Sequence, residues 1–317
     1  MKAPFEQGDG GVASGAVASG ASASLPIGLA VRGRLADYSE LAKVRLSLLV
    51  LVVAAVGFCL ADSAPVNLSL LAHAIVGTAL AAFGANALNQ YMERDFDRRM
   101  RRTAQRPLPA GRMAPREALL FGTTAASTGV LYLALVVNNL AASLALATVL
   151  LYLLTYTPLK RKTVWNTAVG AIPGALPPMI GFAAAAGTLQ PMAWMLFAIL
   201  FAWQLPHFFA IAWMYREDYR AGGYRMLSVA DQTGRATGRQ TVLFSVVLLV
   251  VSLSPWIAGF SGPVYLLGAI ALGALMIFAA ARFARLRTTA AARVVLWASL
   301  VYLPLLMMLL LLDRWPV

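Results

Sequence analysis

Asn89, Glu93 and Asp97 stand four residues apart in NQYMERDFDRRMRRTAQRPLPAG (89–111), a knot of acids and arginines in a chain only 12% charged. A helix turns about 100° per residue, so steps of four keep these three side chains on one ridge and send Asp95 to another side. Oxygen donors in such a row suit Mg2+, a hard cation that keeps several waters and shares its shell with phosphate oxygens. The arginines that follow suit the phosphates themselves, with Arg94, Arg98, Arg102 and Arg106 as the expected contacts. Lys160 and Arg161, in YTPLKRKTVWN (156–166), add a compact cationic patch. A third cluster, YREDYRAGGYRMLSVADQTGR (215–235), carries Glu217 and Asp218. Acid, base and acid clusters on one side of an apolar protein describe a diphosphate site with a greasy chamber beside it. The arginines also fit a solvated loop at a membrane surface. That reading leaves the acids unexplained, because ionisable groups on the continuation of a membrane span are functional candidates by default.

The elements that must position these residues are membrane helices. Of 317 residues, 60% are hydrophobic, and the mean hydropathy is +0.72. Ordinary soluble domains are about half apolar and a quarter charged. Nine apolar segments, near 44–61, 68–91, 117–137, 140–157, 164–186, 189–214, 241–259, 263–281 and 295–312, each approach the ~20 residues that cross ~30 Å of hydrocarbon. They lack the short alternating strands of a barrel. The expected fold class is all-α, a polytopic bundle of nine transmembrane helices. Of 26 lysines and arginines, 25 precede the first segment or fall in alternate loops, leaving Arg314 alone on the other side. The positive-inside rule then puts the N-terminus in the cytoplasm and the C-terminus outside. That distribution accounts for the net charge of +13 without nucleic acid.

Residues 1 to about 35, rich in Gly, Ala and Ser, are expected to form a disordered tail ahead of a single domain over 36–317. The tail has no basic start and apolar core, and no arginine before Arg32, so it resembles neither a signal nor a transit peptide. Cys59 has no second cysteine, which excludes an intrachain disulfide and a thiolate metal cage.

The ridge at the end of the second segment resembles the first acidic motif of the UbiA-type intramembrane prenyltransferases. NQYMERDFDRRMRRTAQRPLPAG, YTPLKRKTVWN, GAIPGALPPMIG (170–181), WQLPHFFAIA (203–212) and EDYRAGGYRML (217–227), in that order, resemble its heme O synthase branch. The resemblance implies transfer of a farnesyl group from farnesyl diphosphate to the carbon-2 vinyl group of heme B. Mg2+ would bridge the phosphates to Asn89, Glu93 and Asp97, and water would capture the final cation to give heme O. It also implies a bilayer-embedded enzyme of a bacterial inner membrane with its site facing the cytoplasm. Contact with the heme A synthesis enzyme or oxidase assembly factors is possible for such a chain.

Two departures from the wider superfamily stand out. Glu93 replaces its usual aspartate, and Gly222 stands where a second acid would follow Asp218. Asp218 is then expected to orient arginine or lysine on the diphosphate, completing a catalytic set with the ridge. His207 lies 11 residues before Asp218, ~16 Å along a helix, a depth suited to heme, and imidazole is a common iron ligand. Its other reading, and the preferred one for His73, is a histidine hydrogen-bonded within the bundle. Trp203, Phe208, Phe209 and Trp213 suit either a pocket wall or packing. Two rival functions are a quinone-directed prenyltransferase and a transporter, the latter drawing on the proline-broken GAIPGALPPMIG.

Overall fold

The structure, a computed structural model, describes residues 27–61 and 65–314, with side chains from Gly33 onward. Its helices are α1 (Ile27–Leu41), α2 (Val44–Cys59), α3 (Leu68–Asp97), α4 (Pro115–Val137) and α5 (Asn139–Leu159). They continue as α6 (Asn166–Ala186), α7 (Pro191–Met214), α8 (Arg235–Ile257), α9 (Pro263–Leu286) and α10 (Thr289–Leu312). Among the described residues, α3 to α10 are each long and apolar enough to span a membrane. The 16 residues of α2 reach only about 24 Å. With Gly33–Leu41, from which α2 is bent by 50°, they form a broken pair that brings the described residues from eight spans to nine if it crosses as one.

Helix α1 begins at Ile27, so residues 27–35 of the expected disordered tail are helical; the first 26 residues lie outside the described ones. Polar contacts with α3, α4 and the connection between them hold α1 in place. Arg112 bonds Asp37 at 2.8 Å and Glu40 at 2.7 Å, Arg34 bonds Glu117, and the Gln90 amide donates to the Leu41 carbonyl at 2.8 Å. No period in the Gly-Ala-Ser stretch announces these long-range partners.

The 30 residues of α3 exceed what the hydrocarbon requires by about ten. Its last turns, which bear Glu93 and Asp97, therefore project past the apolar layer. At the centre of the bundle, α6 and α7 bury 67% and 61% of their most apolar windows, against 28–39% for the other continuous spans. These two are the inner helices. The largest core cluster joins Phe182, Leu196, Ile199 and Trp203 to Tyr265 and Tyr302. Pro177 and Pro178 interrupt α6 at Leu176, where a proline cannot donate its backbone bond, yet the two halves remain one span.

Helix–helix packing in lipid depends on small residues that let backbones approach. A Cβ added to Gly181 of α6 would lie 1.8 Å from the Ala54 carbonyl oxygen of α2, and one on Gly57 would lie 2.0 Å from that of Pro178. Gly181→Val is therefore expected to lower the thermal midpoint of the detergent-solubilised protein, an overpacking cost of about 1–3 kcal/mol or more. Gly33→Ala, whose added Cβ meets nothing within 4 Å, should be neutral or stabilising by up to ~1 kcal/mol. Equal midpoints for the two variants would refute the backbone contact.

Candidate active site

The ridge is built as its spacing requires. Asn89, Glu93 and Asp97 are 1%, 5% and 1% exposed, whereas the Asp95 side chain is 63% exposed. All three line a cavity of about 430 Å³, within the usual range for ligand pockets. Lys43, Arg102, Arg106 and Lys160 line the same polar end. The remainder is apolar, walled by residues such as Val53, Leu200, Trp203, Phe208 and Leu303.

Each acid is held by a cation. Lys160 Nζ donates to Glu93 Oε2 at 3.0 Å and lies 2.9 Å from Oε1, although Oε1 itself makes no hydrogen bond of good geometry. Arg106 Nη1 donates to Asp97 Oδ2 at 2.7 Å. Asn89 Oδ1 accepts from Tyr152 at 3.1 Å and Lys43 at 3.3 Å, while its Nδ2 donates to Thr157 Oγ1 at 3.0 Å. Burial alone would lower the Lys160 pKa; Glu93 and the surrounding tyrosines outweigh it and hold the ammonium well above its ordinary range.

Local backbone departures deliver these groups. The end of α5 is π-helical from Leu151 to Tyr156, a widening common at functional sites. Tyr152, Tyr156 and Lys160 all face the cavity from it, and Thr157 Oγ1 closes the widened turn on the Tyr152 carbonyl at 2.8 Å. Lys43, in the break between α1 and α2, is left-handed with φ 50° and ψ 47°. For a residue with a Cβ that conformation costs roughly 1–2 kcal/mol.

The expected phosphate ligands divide. Arg102, Arg106 and Lys160 reach the cavity; Arg94, Arg98 and Arg161 do not. Arg94 donates to its own turn at Tyr91 O, 2.8 Å, Arg98 to Pro109 O at 3.4 Å, and Arg161 lies 4.4 Å over the Phe96 ring. Asp218 also lies outside the cavity lining, where it accepts the Arg101 backbone N–H at 3.3 Å and ties the two loops together. Tyr219 takes the cavity-facing position beside it. Lys43, Tyr152, Tyr156 and Tyr224 line the cavity without having been singled out. Tyr152, Tyr156 and Lys160 repeat the four-residue spacing of the ridge, which is a usable signal; a lone lysine before an apolar helix is not.

His207 lines the cavity deeper in the bundle, stacked on Trp203 with ring centroids 4.9 Å apart. Its Nδ1 is 2.8 Å from Ser299 Oγ. Ser299 spends its own hydroxyl proton on the Leu296 carbonyl at 2.7 Å, so the serine oxygen accepts and Nδ1 carries the hydrogen. The network thus assigns the tautomer with a lone pair on Nε2, the form that ligates metals. His73 pairs with Tyr132 at 2.6 Å, away from the cavity. Phe208 lines the cavity with Trp203, while Phe209 and Trp213 are buried packing residues.

The ridge fits Mg2+ by the chemistry of its donors. Glu93 Oε1 is a buried carboxylate oxygen, 2.9 Å from Lys160 Nζ but without a hydrogen bond of good geometry, and its ridge neighbours present an amide and a second carboxylate oxygen. Among the described residues no cluster of three or more His, Cys, Asp or Glu is poised to hold a metal. Two carboxylates and an amide make a partial shell, which suits an ion completed by water and phosphate.

The profile of the UbiA prenyltransferase family matches residues 50–312. Solved structures share the fold. A digeranylgeranylglyceryl phosphate synthase superposes with a TM-score of 0.74 at 17% identity, over 89% of this chain and 98% of its own. A UbiA homolog from Archaeoglobus fulgidus, bound to GPP and Mg2+, superposes with 0.61 at 15% identity, over 86% and 99%. The chain is a membrane-embedded prenyltransferase of the UbiA family. A protoheme IX farnesyltransferase of Solibacter usitatus is 48% identical over 88% of this chain and 98% of its own length. That of Koribacter versatilis is 42% identical over 90% and 95%. Within the family, this chain belongs with the protoheme IX farnesyltransferases.

Two variants probe the polar end. Asp97→Asn keeps the shape of the side chain and removes its charge; turnover is expected to fall by about 10²-fold or more, as for loss of an electrostatic group at a reacting centre. Lys43→Gly should melt at the same or a higher temperature, since glycine takes the left-handed conformation freely, while turnover falls at least about tenfold, the loss of a charge-assisted hydrogen bond. Thermal unfolding and turnover measured on the same preparations check both, and full activity in Lys43→Gly would remove Lys43 from the site.

Proposed function

We propose that the cavity transfers the farnesyl group of farnesyl diphosphate to the carbon-2 vinyl group of heme B, with addition of water, giving heme O and diphosphate. One observation carries this reading: a single cavity joins the buried acid ridge and its four cations to an apolar chamber containing a histidine with a free Nε2 lone pair. Lys43, Arg102, Arg106 and Lys160 bind the diphosphate and stabilise the charge that grows on it as the carbon–oxygen bond breaks and the electron pair leaves with phosphate. Asn89, Glu93 and Asp97 would hold Mg2+, which would supply Lewis-acid neutralisation of that charge.

The apolar walls exclude water from the allylic cation until the vinyl π electrons close the new carbon–carbon bond. The positive charge then rests on the former vinyl group, where water adds and releases a proton. His207 Nε2 holds the porphyrin through its iron, and Ser299 fixes the ring. Leu46 lines the cavity while 70% exposed, so the chamber reaches the outer face of α2 and apolar substrates enter from the bilayer. The alternation of basic loops supports a cytoplasm-facing diphosphate end in a bacterial inner membrane.

Purified protein incubated with heme B, farnesyl diphosphate and Mg2+ is expected to yield heme O by mass spectrometry; recovery of unprenylated heme alone would overturn the assignment. His207→Ala should weaken heme B binding by about tenfold or more, the low end for losing a supported metal ligand, and abolish the Soret shift of a histidine-ligated heme. An unchanged spectrum would remove His207 as the iron ligand.

A further inference from the structure

Several polar groups of the cavity have no role in the steps above, Tyr156, Tyr219 and Tyr224 among them. Tyr224 is 3% exposed and lines the cavity; its hydroxyl stands beside the Glu93 carboxylate but makes no hydrogen bond of good geometry among the described residues. A buried hydroxyl left unpaired costs about 1–3 kcal/mol, so such a group in a native structure calls for an explanation.

The backbone around Tyr224 is fixed. Gly223 is left-handed, with φ 73°, and a Cβ on Gly222 would press on Met100 Sδ at 2.9 Å. The Tyr224 N–H bonds the Tyr219 carbonyl at 2.9 Å, and the Arg225 N–H bonds the carbonyl of Lys160 at 2.8 Å. Asn166 Nδ2 holds the Arg225 carbonyl at 2.9 Å. The ring is set against Phe96 at 6.3 Å and Tyr219 at 6.0 Å, with Lys160 Nζ 5.9 Å from its centroid. A ring held on every side by backbone and aromatic contacts has a hydroxyl whose position is determined, beside the cation that pairs with Glu93.

We infer that Tyr224 is a neutral hydrogen-bond donor to the diphosphate of the allylic substrate, beside the basic side chains of the polar end. The inference rests on the diphosphate reading given above. An uncharged donor adds a directed contact to a phosphate oxygen without another positive charge for the ridge to hold. No proton is transferred; the hydroxyl exchanges a poorly directed contact beside Glu93 for a well-directed acceptor.

Tyr224→Phe deletes the hydroxyl and keeps the ring. The ligand-free variant is expected to melt at or above the wild-type temperature, because a buried hydroxyl without a well-formed hydrogen bond is removed. Inorganic pyrophosphate with Mg2+, titrated as a competitor of farnesyl diphosphate, is expected to bind the variant about ten- to a hundred-fold more weakly, the range for a hydrogen bond to a charged group. Heme B affinity should not change. Unaltered pyrophosphate affinity in Tyr224→Phe, with normal competition in wild type, would overturn this inference alone. Failure of pyrophosphate to compete in wild type would overturn it together with the diphosphate reading. A lower midpoint for the ligand-free variant would assign Tyr224 to packing instead.

Discussion

Two ion pairs set inside a membrane bundle constrain everything around them. Glu93–Lys160 and Asp97–Arg106 lie at 2.9 and 2.7 Å, with their side chains between 2% and 19% exposed. Withdrawing an ion from water costs several kcal/mol even after relaxation, and removing one partner of a buried pair costs about 3–5 kcal/mol. Such pairs are tolerable only where a low-dielectric interior meets the membrane surface. Helix α3 must therefore outrun the hydrocarbon, α5 must be rewound at its end, and the loop after α3 must fold back to return Arg106 to Asp97.

The apolar half of the cavity poses the opposite problem, since a packed bundle closes any space it can. Gly170, Pro173, Gly174 and Pro177 of α6 form part of the wall. A Cβ on Gly174 would lie 2.0 Å from Gln204 Oε1, and one on Gly170 would lie 2.4 Å from the Tyr156 ring. Small and cyclic residues let neighbouring side chains lean over α6, while little of α6 itself enters the chamber. The proline-broken run that resembled a transporter's gating helix is better understood as a smooth wall. Rigid packing of α2 on α6 at Gly57 and Gly181 agrees with that account, because a gate needs surfaces that separate.

Hydropathy and a four-residue period were enough to read the nine spans and the ridge, since both depend on local repetition. Arg94 and Arg98 obey the same period: each follows a ridge acid by one residue, about 100° around the helix, and points to backbone carbonyls instead of the cavity. Arg102 and Arg106 lie beyond the last turn of α3, where the returning chain, and not helical phase, decides their direction. Lys43 was indistinguishable from an ordinary membrane anchor, because its role depends on a left-handed break whose partners lie 46 residues away at Asn89. Helix α1 was missed for a related reason: its contacts at Gln90, Arg112 and Glu117 are long-range.

The positions where this fold departs from local rules are not scattered. Among the described residues, four buried polar side-chain atoms lack a hydrogen-bond partner: Gln90 Oε1, Glu93 Oε1, Tyr224 OH and Ser261 Oγ. Three belong to the ridge helix or the loop beside it. Of two left-handed residues that carry a Cβ, Lys43 and Arg287, Lys43 touches the ridge at Asn89. Strain left by chance would be spread through the bundle, whereas strain tied to function gathers where a ligand relieves it. On the proposed function, an anionic ligand with its hard cation would give Glu93 Oε1 a partner besides Lys160 and Tyr224 a well-directed acceptor, whereas Gln90 lies outside the cavity lining. Glu93, Tyr224 and Lys43 thus gather at one end of the cavity, where the proposed ligand would bind.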